Sequence, residues 1–289
     1  MTEEHPAFSL GMFDSGVGGL SVWREVALQL PAENVLYLAD QAHVPYGPRL
    51  MDEIVGFAQA ITCFLLDHGC QVIAIVCNAA SAAALHTLRQ QFPQVAFVGM
   101  EPAVKPAAEN THTHKVGVLA TPVTFQGKLF ASQVERFGAD IKLFKQVCPG
   151  LVEQVEAGRL DTPDTHAMLQ RYLAPMLKAG VDTIVLGCTH YPFLLPIIQS
   201  IAGPGVRVID PSPAVAKQIR RLLAQQGLLA PPGQPGQIRF YTTGDAPAFS
   251  KALERLTGTS GQEVRTARWS GGRLLQFGEA ELPSSSFQG

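Results

Sequence analysis

Two cysteines in this sequence each follow a short apolar run and precede a small hydrogen-bonding residue. The first occurs in VIAIV-Cys77-Asn78 and the second in TIVLG-Cys188-Thr189. Two thiols on opposite faces of one carbon atom can exchange its proton, because a thiolate removes it from one side while a thiol delivers another. A free cysteine has a pKa near 8.5, so either thiol can act as acid or base close to neutral pH. Three further cysteines lack the pattern and are interpreted as inert buried residues: Cys63, Cys70 and Cys148.

Further polar residues accompany these cysteines. Asp14 and Ser15 begin the glycine-rich loop DSGVGG, which follows a predicted strand. Ser21 stands where a G-x-G-x-x-G dinucleotide motif needs glycine, so the loop is not interpreted as a nucleotide site. Its N–H groups can instead approach a carboxylate closely. His190 follows the second cysteine in a Cys-x-His pair, which is a poor zinc signature, so no metal is expected.

These residues must be held by alternating strands and helices. Such alternation predicts an α/β fold with a mostly parallel sheet, since several of the apolar runs are continuous, as in strands buried on both faces. The predicted strands are Ser9–Phe13, Val35–Ala39, Val72–Val76, Ala96–Met100, Val116–Ala120, Thr183–Leu186, Arg207–Asp210 and Ile238–Tyr241. The predicted helices are Gly19–Leu30, Met51–His68, Ala80–Gln91, Phe125–Phe137, Asp164–Lys178, Phe193–Ile201, Pro213–Gln226 and Ala246–Leu256.

The pattern of strands ending in polar residues occurs twice. Besides the two strand–cysteine sequences, the run before Asp14 and Ser15 resembles the run before Ala120 and Thr121. This repetition predicts two related α/β halves with the active site in the cleft between them. The first domain is predicted to comprise residues 1–100 and 212–289, and the second residues 101–211. Because ligands bind at the carboxyl ends of parallel strands, the two cysteines are expected to face each other across this cleft.

Composition limits the function further. The 289 residues carry 22 Lys and Arg against 24 Asp and Glu, a net charge of −2, so nucleic acid is not an expected partner. No apolar stretch reaches the roughly 18 residues that a membrane span needs, and the N-terminal residues 1–10 lack the features of an export signal. These features, with cysteines in no disulfide-like framework, predict a cytoplasmic protein that does not associate with membranes.

Several ordered motifs, spread over about residues 8–260, together resemble the glutamate racemase family. The motifs are FDSGVGG at 13–19, VPYGP at 44–48, VCN at 76–78 and LGCTHYP at 186–192. Further family-like sequences are EP at 101–102, CP at 148–149 followed by LV and Glu156, and FYT at 240–242 followed by Gly244 and Asp245. The resemblance implies two pseudo-symmetric α/β domains enclosing the substrate, in agreement with the repetition.

The resemblance also implies an activity, the interconversion of L- and D-glutamate without a cofactor, which supplies D-glutamate for peptidoglycan. In the family the residue at Cys77 removes the α-proton of D-glutamate and the one at Cys188 that of L-glutamate. Asp14 corresponds to a residue that assists the first cysteine, and Glu156 and His190 to residues that assist the second. The positions that correspond to substrate-binding residues are Asp14, Ser15, Tyr46, Gly47, Asn78, Ala79, Thr189 and His190. Members of the family commonly dimerise, so this protein is a possible homodimer.

The sequence departs from the family at one of these positions. The family's third motif normally reads Cys-Asn-Thr, whereas Ala79 follows Asn78 here. The alanine keeps its backbone N–H but lacks the hydroxyl that would hydrogen-bond the substrate. We expect weaker or altered substrate binding, which leaves an aspartate or other acidic amino-acid racemase, or a weakly active two-lobed amino-acid binder, as alternatives.

A thiol hydrolase or transferase is a further alternative from the residues alone. In that interpretation Cys77 or Cys188 is a nucleophile assisted by His190. It leaves the second cysteine without a role. Replacing each cysteine separately distinguishes these functions, since the racemase needs both thiols, the hydrolase one and the binder neither.

Overall fold

The computed structural model describes residues 8–276. The residues outside this range are 1–7 and 277–289. Most of the N-terminal segment in which no export signal is predicted therefore lies outside the described residues. Within 8–276 the strands are β1 Leu10–Asp14, β2 Val35–Ala39, β3 Val72–Ile75, β4 Ala96–Gly99, β5 Lys115–Ala120, β6 Lys142–Val147, β7 Thr183–Gly187, β8 Arg207–Ile209, β9 Ile238–Thr242, β10 Val264–Ser270 and β11 Arg273–Gln276.

Helices connect most of these strands, which confirms the predicted α/β class. They are α1 Leu20–Gln29, α2 Met51–Asp67, α3 Asn78–Gln91, α4 Val104–Asn110, α5 Pro122–Gln126, α6 Lys128–Phe137, α7 Leu151–Glu156, α8 Pro163–Lys178, α9 Leu195–Ala202, α10 Ser212–Gln225 and α11 Ala246–Thr257. A short 3₁₀ helix, Tyr191–Leu194, precedes α9. No helix in the described part of the chain is long and apolar enough to cross a membrane.

The strands form two sheets with a shared central order. The seven-stranded sheet has the order β11-β10-β9-β2-β1-β3-β4, and the four-stranded sheet has the order β6-β5-β7-β8. All pairs are parallel except β10 with β11. The order β2-β1-β3-β4 therefore repeats as β6-β5-β7-β8. This is the structural basis of the repetition in the sequence, and in both sheets the chain crosses to either side of a central strand, where a ligand crevice forms.

Burial explains why the central strands were readable from the sequence. Every residue of β1, β2, β3 and β7 is buried, because these strands are covered on both faces. Three strands were not predicted, β6, β10 and β11. In β6 and β10 exposed and half-buried residues predominate, so their sequences carry no continuous apolar signal. β6 and β11 are also edge strands of their sheets.

The helix boundaries differ from the prediction at functionally relevant places. The predicted helix 125–137 is divided at Gly127, where an added Cβ would lie 2.6 Å from the Cβ of Ala82, so glycine lets the chain approach α3 closely. The helix predicted from residue 80 begins at Asn78, with Cys77 as its N-cap. Residues 231–236, which include three prolines and two glycines, contain no helix or strand.

Candidate active site

The predicted polar residues converge at the carboxyl ends of the central strands. Asp14 ends β1, Cys77 lies two residues after β3, and Cys188 directly follows β7. One narrow pocket between the two sheets brings both thiols together. Its lining is Ser15, Pro45, Tyr46, Gly47, Cys77, Asn78, Ala79, Thr121, Val152, Cys188, Thr189 and His190. The cavity volume is about 20 Å³, close to that of a single water, so a larger ligand can enter only if the two sides of the pocket separate.

Cys188 is paired with a histidine and a carboxylate. Its Sγ lies 3.7 Å from Nδ1 of His190, and Nε2 of His190 lies 2.7 Å from Oε1 of Glu156. Burial alone would lower the pKa of His190, but its hydrogen bonds to Cys188 and Glu156 raise that pKa well above its ordinary value. These contacts favour the protonated ring of His190, whose positive charge can balance negative charge on the neighbouring sulfur.

The carboxylate of Glu156 accepts hydrogen bonds from loops that follow strands of both sheets. It ends α7, which follows β6 of the four-stranded sheet, and its Oε1 accepts a bond of 2.8 Å from the backbone N–H of Val17. Its Oε2 accepts a bond of 3.2 Å from the amide of Gln41. Burial would raise the pKa of Glu156, but the hydrogen bond and charge of His190, with these two donors, lower it. The glycine-rich loop thus approaches a carboxylate as predicted, and that carboxylate belongs to the protein.

Glycines make this approach of the loop feasible. An added Cβ at Gly16 would overlap the carboxylate of Glu156, and one at Gly18 would overlap the ring of His190. At Gly47 an added Cβ would lie 2.7 Å from the Cβ of Thr121. The absent side chains therefore let the two halves of the pocket lie close together.

Cys77 has a different environment. Its Sγ lies 3.9 Å from the hydroxyl of Ser15 and accepts a bond of 3.5 Å from the N–H of Ala80. Burial, and secondly the charge of Asp14, raise the pKa of the Cys77 thiol. Burial likewise raises the pKa of Asp14 to about 6, although its carboxylate accepts bonds of 2.8 Å from both the Gly16 N–H and the Thr189 hydroxyl. This side of the pocket favours a protonated thiol.

Asn78 is the clearest sign that the pocket binds a polar ligand. Its side chain is 2% exposed, and within the described residues neither its amide nitrogen nor its amide oxygen has a hydrogen-bond partner. A buried polar group without a partner costs about 1–3 kcal/mol, so such groups are normally satisfied. A ligand with both donor and acceptor atoms would satisfy this amide.

The hydroxyl of Tyr46 is hydrogen-bonded to a buried carboxylate that was not predicted from the sequence. Its hydroxyl donates a bond of 2.6 Å to Asp40, which directly follows β2 and is completely buried. Asp40 also accepts bonds from His43 at 2.9 Å, Thr243 at 2.8 Å and the indole of Trp269 at 2.7 Å. The turn at 45–48 is therefore more than a rigid connection, because its aromatic residue is fixed to the seven-stranded sheet.

The structure brings every predicted site residue to this pocket or into contact with its lining. Asp14 and Glu156 lie behind the lining and contact it through Thr189 and His190. Sequence reasoning missed Gln41, Asp40, Val152 and Thr121 as site residues. The repetition contained a signal for Thr121, which occupies after β5 the place that Ser15 occupies after β1.

Comparisons with known proteins agree with this site. The family profile described as Asp/Glu/Hydantoin racemase matches residues 17–219. A glutamate racemase of Roseiflexus sp. is 47% identical over 254 residues, which cover 88% of this chain and 93% of that protein. One of Pseudomonas aeruginosa is 48% identical over 248 residues, or 86% and 92% of the two chains.

A solved structure shows the same fold. A Bacillus anthracis glutamate racemase superposes with a TM-score of 0.81 at 30% identity, covering 93% of this chain and 100% of that one. The chain is therefore an amino-acid racemase and belongs to the Asp/Glu/hydantoin racemase family.

Proposed function

We propose that this protein interconverts L- and D-glutamate by exchanging the α-proton between two cysteines, without a cofactor. The observation that carries the proposal is a single pocket lined by two thiols from related strand ends, with the unpartnered amide of Asn78 beside them. The similar proteins support the choice of substrate. A Francisella tularensis glutamate racemase structure contains D-glutamate and has a TM-score of 0.78 at 29% identity, covering 90% of this chain and 97% of that one.

In the direction from L- to D-glutamate, Cys188 reacts as a thiolate. The Cα–H bond breaks as an S–H bond forms at Cys188, and the electron pair of the broken bond passes to Cα and the adjacent carboxylate. The S–H bond of Cys77 then breaks as a new C–H bond forms on the opposite face. In the reverse direction the two thiols exchange roles. His190, held by Glu156, lies 3.7 Å from the sulfur of Cys188 and can exchange a proton with it, and Asp14 assists proton transfer at Cys77.

Polar groups other than lysine or arginine must bind the substrate. Within the described residues the pocket lining contains no lysine or arginine, and both ring nitrogens of His190 are engaged by Cys188 and Glu156, so uncharged donors have to hold the carboxylates. The donors are the amide of Asn78, which has no partner within the described residues, and the backbone N–H groups of Gly47 and Ala79. The hydroxyls of Ser15, Tyr46 and Thr189 donate to Asp14 and Asp40 in this structure, so they bind the substrate only if they exchange these acceptors for it. Since Asn78 and Ala79 open α3, the partial positive charge at the helix N-terminus also favours a carboxylate there.

The small cavity indicates that the pocket closes over its substrate. We propose that residues 1–100 with 212–289 and residues 101–211 act as two domains that separate for binding, with hinges near residues 100 and 211. Closure excludes water, which protects the carbanion-like state from uncontrolled protonation. We further propose that this activity supplies D-glutamate for peptidoglycan in the cytoplasm, and the activity is compatible with a homodimer.

The proposal is tested by racemisation of L-glutamate, followed by circular dichroism without added cofactor. Cys77→Ser and Cys188→Ser are each expected to abolish racemisation. Cys70→Ser is the matched control, because Cys70 is equally buried but lies outside the pocket, and it should leave the rate unchanged. If only one of the two pocket cysteines is required, the proton exchange is wrong and a nucleophilic enzyme is favoured.

The same assay with L-aspartate tests the substrate. Activity with aspartate alone would retain the mechanism but contradict glutamate as substrate, and would implicate Ala79. If the unmodified protein racemises neither amino acid, the amino-acid binder is favoured.

A further inference from the structure

The side chain of Gln41 lies outside the pocket but contacts its proton-transfer groups through one intermediary. Gln41 directly follows Asp40 and does not line the cavity. Its amide nitrogen lies 3.2 Å from Oε2 of Glu156, and its amide oxygen lies 2.8 Å from the hydroxyl of Thr242 at the end of β9. Both ends of this amide are thus engaged, one by each half of the structure.

The surroundings fix which way the amide of Gln41 points. The hydroxyl of Thr242 accepts a bond of 3.0 Å from the N–H of Gly244, so its own proton is free to be donated to the amide oxygen. The opposite orientation would place the amide oxygen against the carboxylate of Glu156, where neither atom carries a proton. A directed series of hydrogen bonds therefore runs from Gly244 through Thr242 and Gln41 to Glu156.

This series ends on the residue that orients the catalytic histidine. Oε1 of Glu156 accepts hydrogen bonds from the ring of His190 and from the N–H of Val17. Gln41 donates to the second oxygen, Oε2. A glutamate has three side-chain torsions, and Gln41 bonds the carboxylate from the seven-stranded half while the backbone of Glu156 belongs to α7 in the other half. The carboxylate plane is thereby fixed by contacts on both oxygens.

We propose that Gln41, supported by Thr242, is a positioning residue for the Cys188 side of the racemisation site. It holds Glu156 so that His190 keeps Nε2 on the carboxylate and Nδ1 directed at Cys188. The inference rests on the proposed function. It assigns a role to a residue that neither touches the pocket nor belongs to any of the motifs that identified the site.

The test compares Gln41→Leu with Gln133→Leu. Leucine at 41 keeps the bulk but removes both hydrogen bonds. Gln133 is a half-buried glutamine whose solvent-exposed hydrogen bond also goes to a carboxylate, that of Glu101, and its replacement should have no effect. Gln41→Leu is expected to lower kcat about tenfold while KM changes less than about twofold, because a proton-transfer geometry is lost and the substrate contacts are kept.

A kinetic isotope measurement distinguishes positioning from a general structural defect. If the Cys188 step is slowed selectively, the isotope effect on kcat/KM rises for Cα-deuterated L-glutamate and falls for Cα-deuterated D-glutamate. Thr242→Val should show the same asymmetry, whereas Thr242→Ser, which keeps the hydroxyl, should restore the isotope effects of the unmodified enzyme. Equal changes in both directions, or none, would overturn the proposal.

A readout independent of activity keeps this inference separable from the proposed function. Nitrogen NMR of labelled histidine reports whether both ring nitrogens of His190 carry protons, with His190→Asn used to assign the signals. In Gln41→Leu the doubly protonated ring is expected to be lost at lower pH than in the unmodified protein. An unchanged titration, in a variant that circular dichroism shows to be folded, would refute the role of Gln41 even if the protein failed to racemise glutamate.

Discussion

Replacing Glu156 with glutamine tests the electrostatics of the Cys188 side most strongly. The substitution keeps the shape but removes the charge 2.7 Å from His190, in a pair whose side chains are only 2% and 14% exposed. Hydrogen bonds to charged groups contribute about 1.5–3 kcal/mol, which corresponds to roughly 10- to 150-fold in kcat/KM, and loss of this one should lower the pKa of His190. The alkaline limb of the pH profile should therefore move to lower pH in Glu156→Gln.

The same pair predicts how stability depends on pH. Folding raises the pKa of His190 above 6.5, so its contribution is complete below pH 6.5 and is lost as pH rises through the folded value. Folding lowers the pKa of Glu156 below 4.5, so its contribution is complete above pH 4.5 and is lost as pH falls through the folded value. The stabilisation lost in Glu156→Gln should thus be largest between these two pH values.

The assay combines initial rates from pH 6 to 10 with urea unfolding across the same range and down to pH 4. Glu153→Gln is the matched control, because Glu153 lies on the same helix but is exposed, and it should reproduce the unmodified profile. If Glu156→Gln leaves both the alkaline limb and the free energy of unfolding unchanged, the proposed coupling of Glu156 to His190 is wrong.

Three further predictions concern the other side of the pocket and its support. Ala79→Thr should lower KM for glutamate roughly tenfold, because it adds a hydroxyl to the pocket lining beside Asn78; unchanged initial-rate kinetics would contradict this. Trp269→Phe should lower the free energy of unfolding by about 1.5–3 kcal/mol, since it removes a donor to buried Asp40 while keeping the ring, and urea unfolding without such a loss would be inconsistent with that account. Burial raises the pKa of Asp14 to about 6, so kcat/KM should rise with pH through about 6 if the reaction needs the carboxylate. Asp14→Asn should remove this limb from the pH–rate profile. If the limb persists in the variant, another group is responsible for it.

The sequence was most informative for residues whose environment is set by their neighbours in the chain. Asp14 and Cys188 could be found because each stands at the end of a buried strand, and a parallel sheet places such ends together. The repeated strand–cysteine pattern predicted two related α/β halves, and the strand order of the two sheets repeats accordingly. The meeting of Cys77 and Cys188 in one pocket is therefore a consequence of topology that the sequence pattern carries.

Contacts between distant segments could not be read in this way. Glu156 lies on a short helix that looks like a solvated surface element, and only the family resemblance raised it above that interpretation. Its donors Val17 and Gln41 are more than 100 residues away in the chain. Asp40 similarly depends on Thr243, which directly follows β9, and on Trp269 in β10, and neither contact has a local sequence signal.

The central claim is that two different thiols, on opposite faces, remove and deliver the α-proton. The most direct measurement is racemisation of unlabelled L-glutamate in D₂O, sampled during the first few per cent of turnover and analysed by mass spectrometry of the separated enantiomers. Two thiols predict that the D-glutamate formed carries deuterium at Cα, while the remaining L-glutamate still carries protium. D-glutamate that retains the original proton, or L-glutamate that exchanges without inversion, would contradict the two-cysteine mechanism.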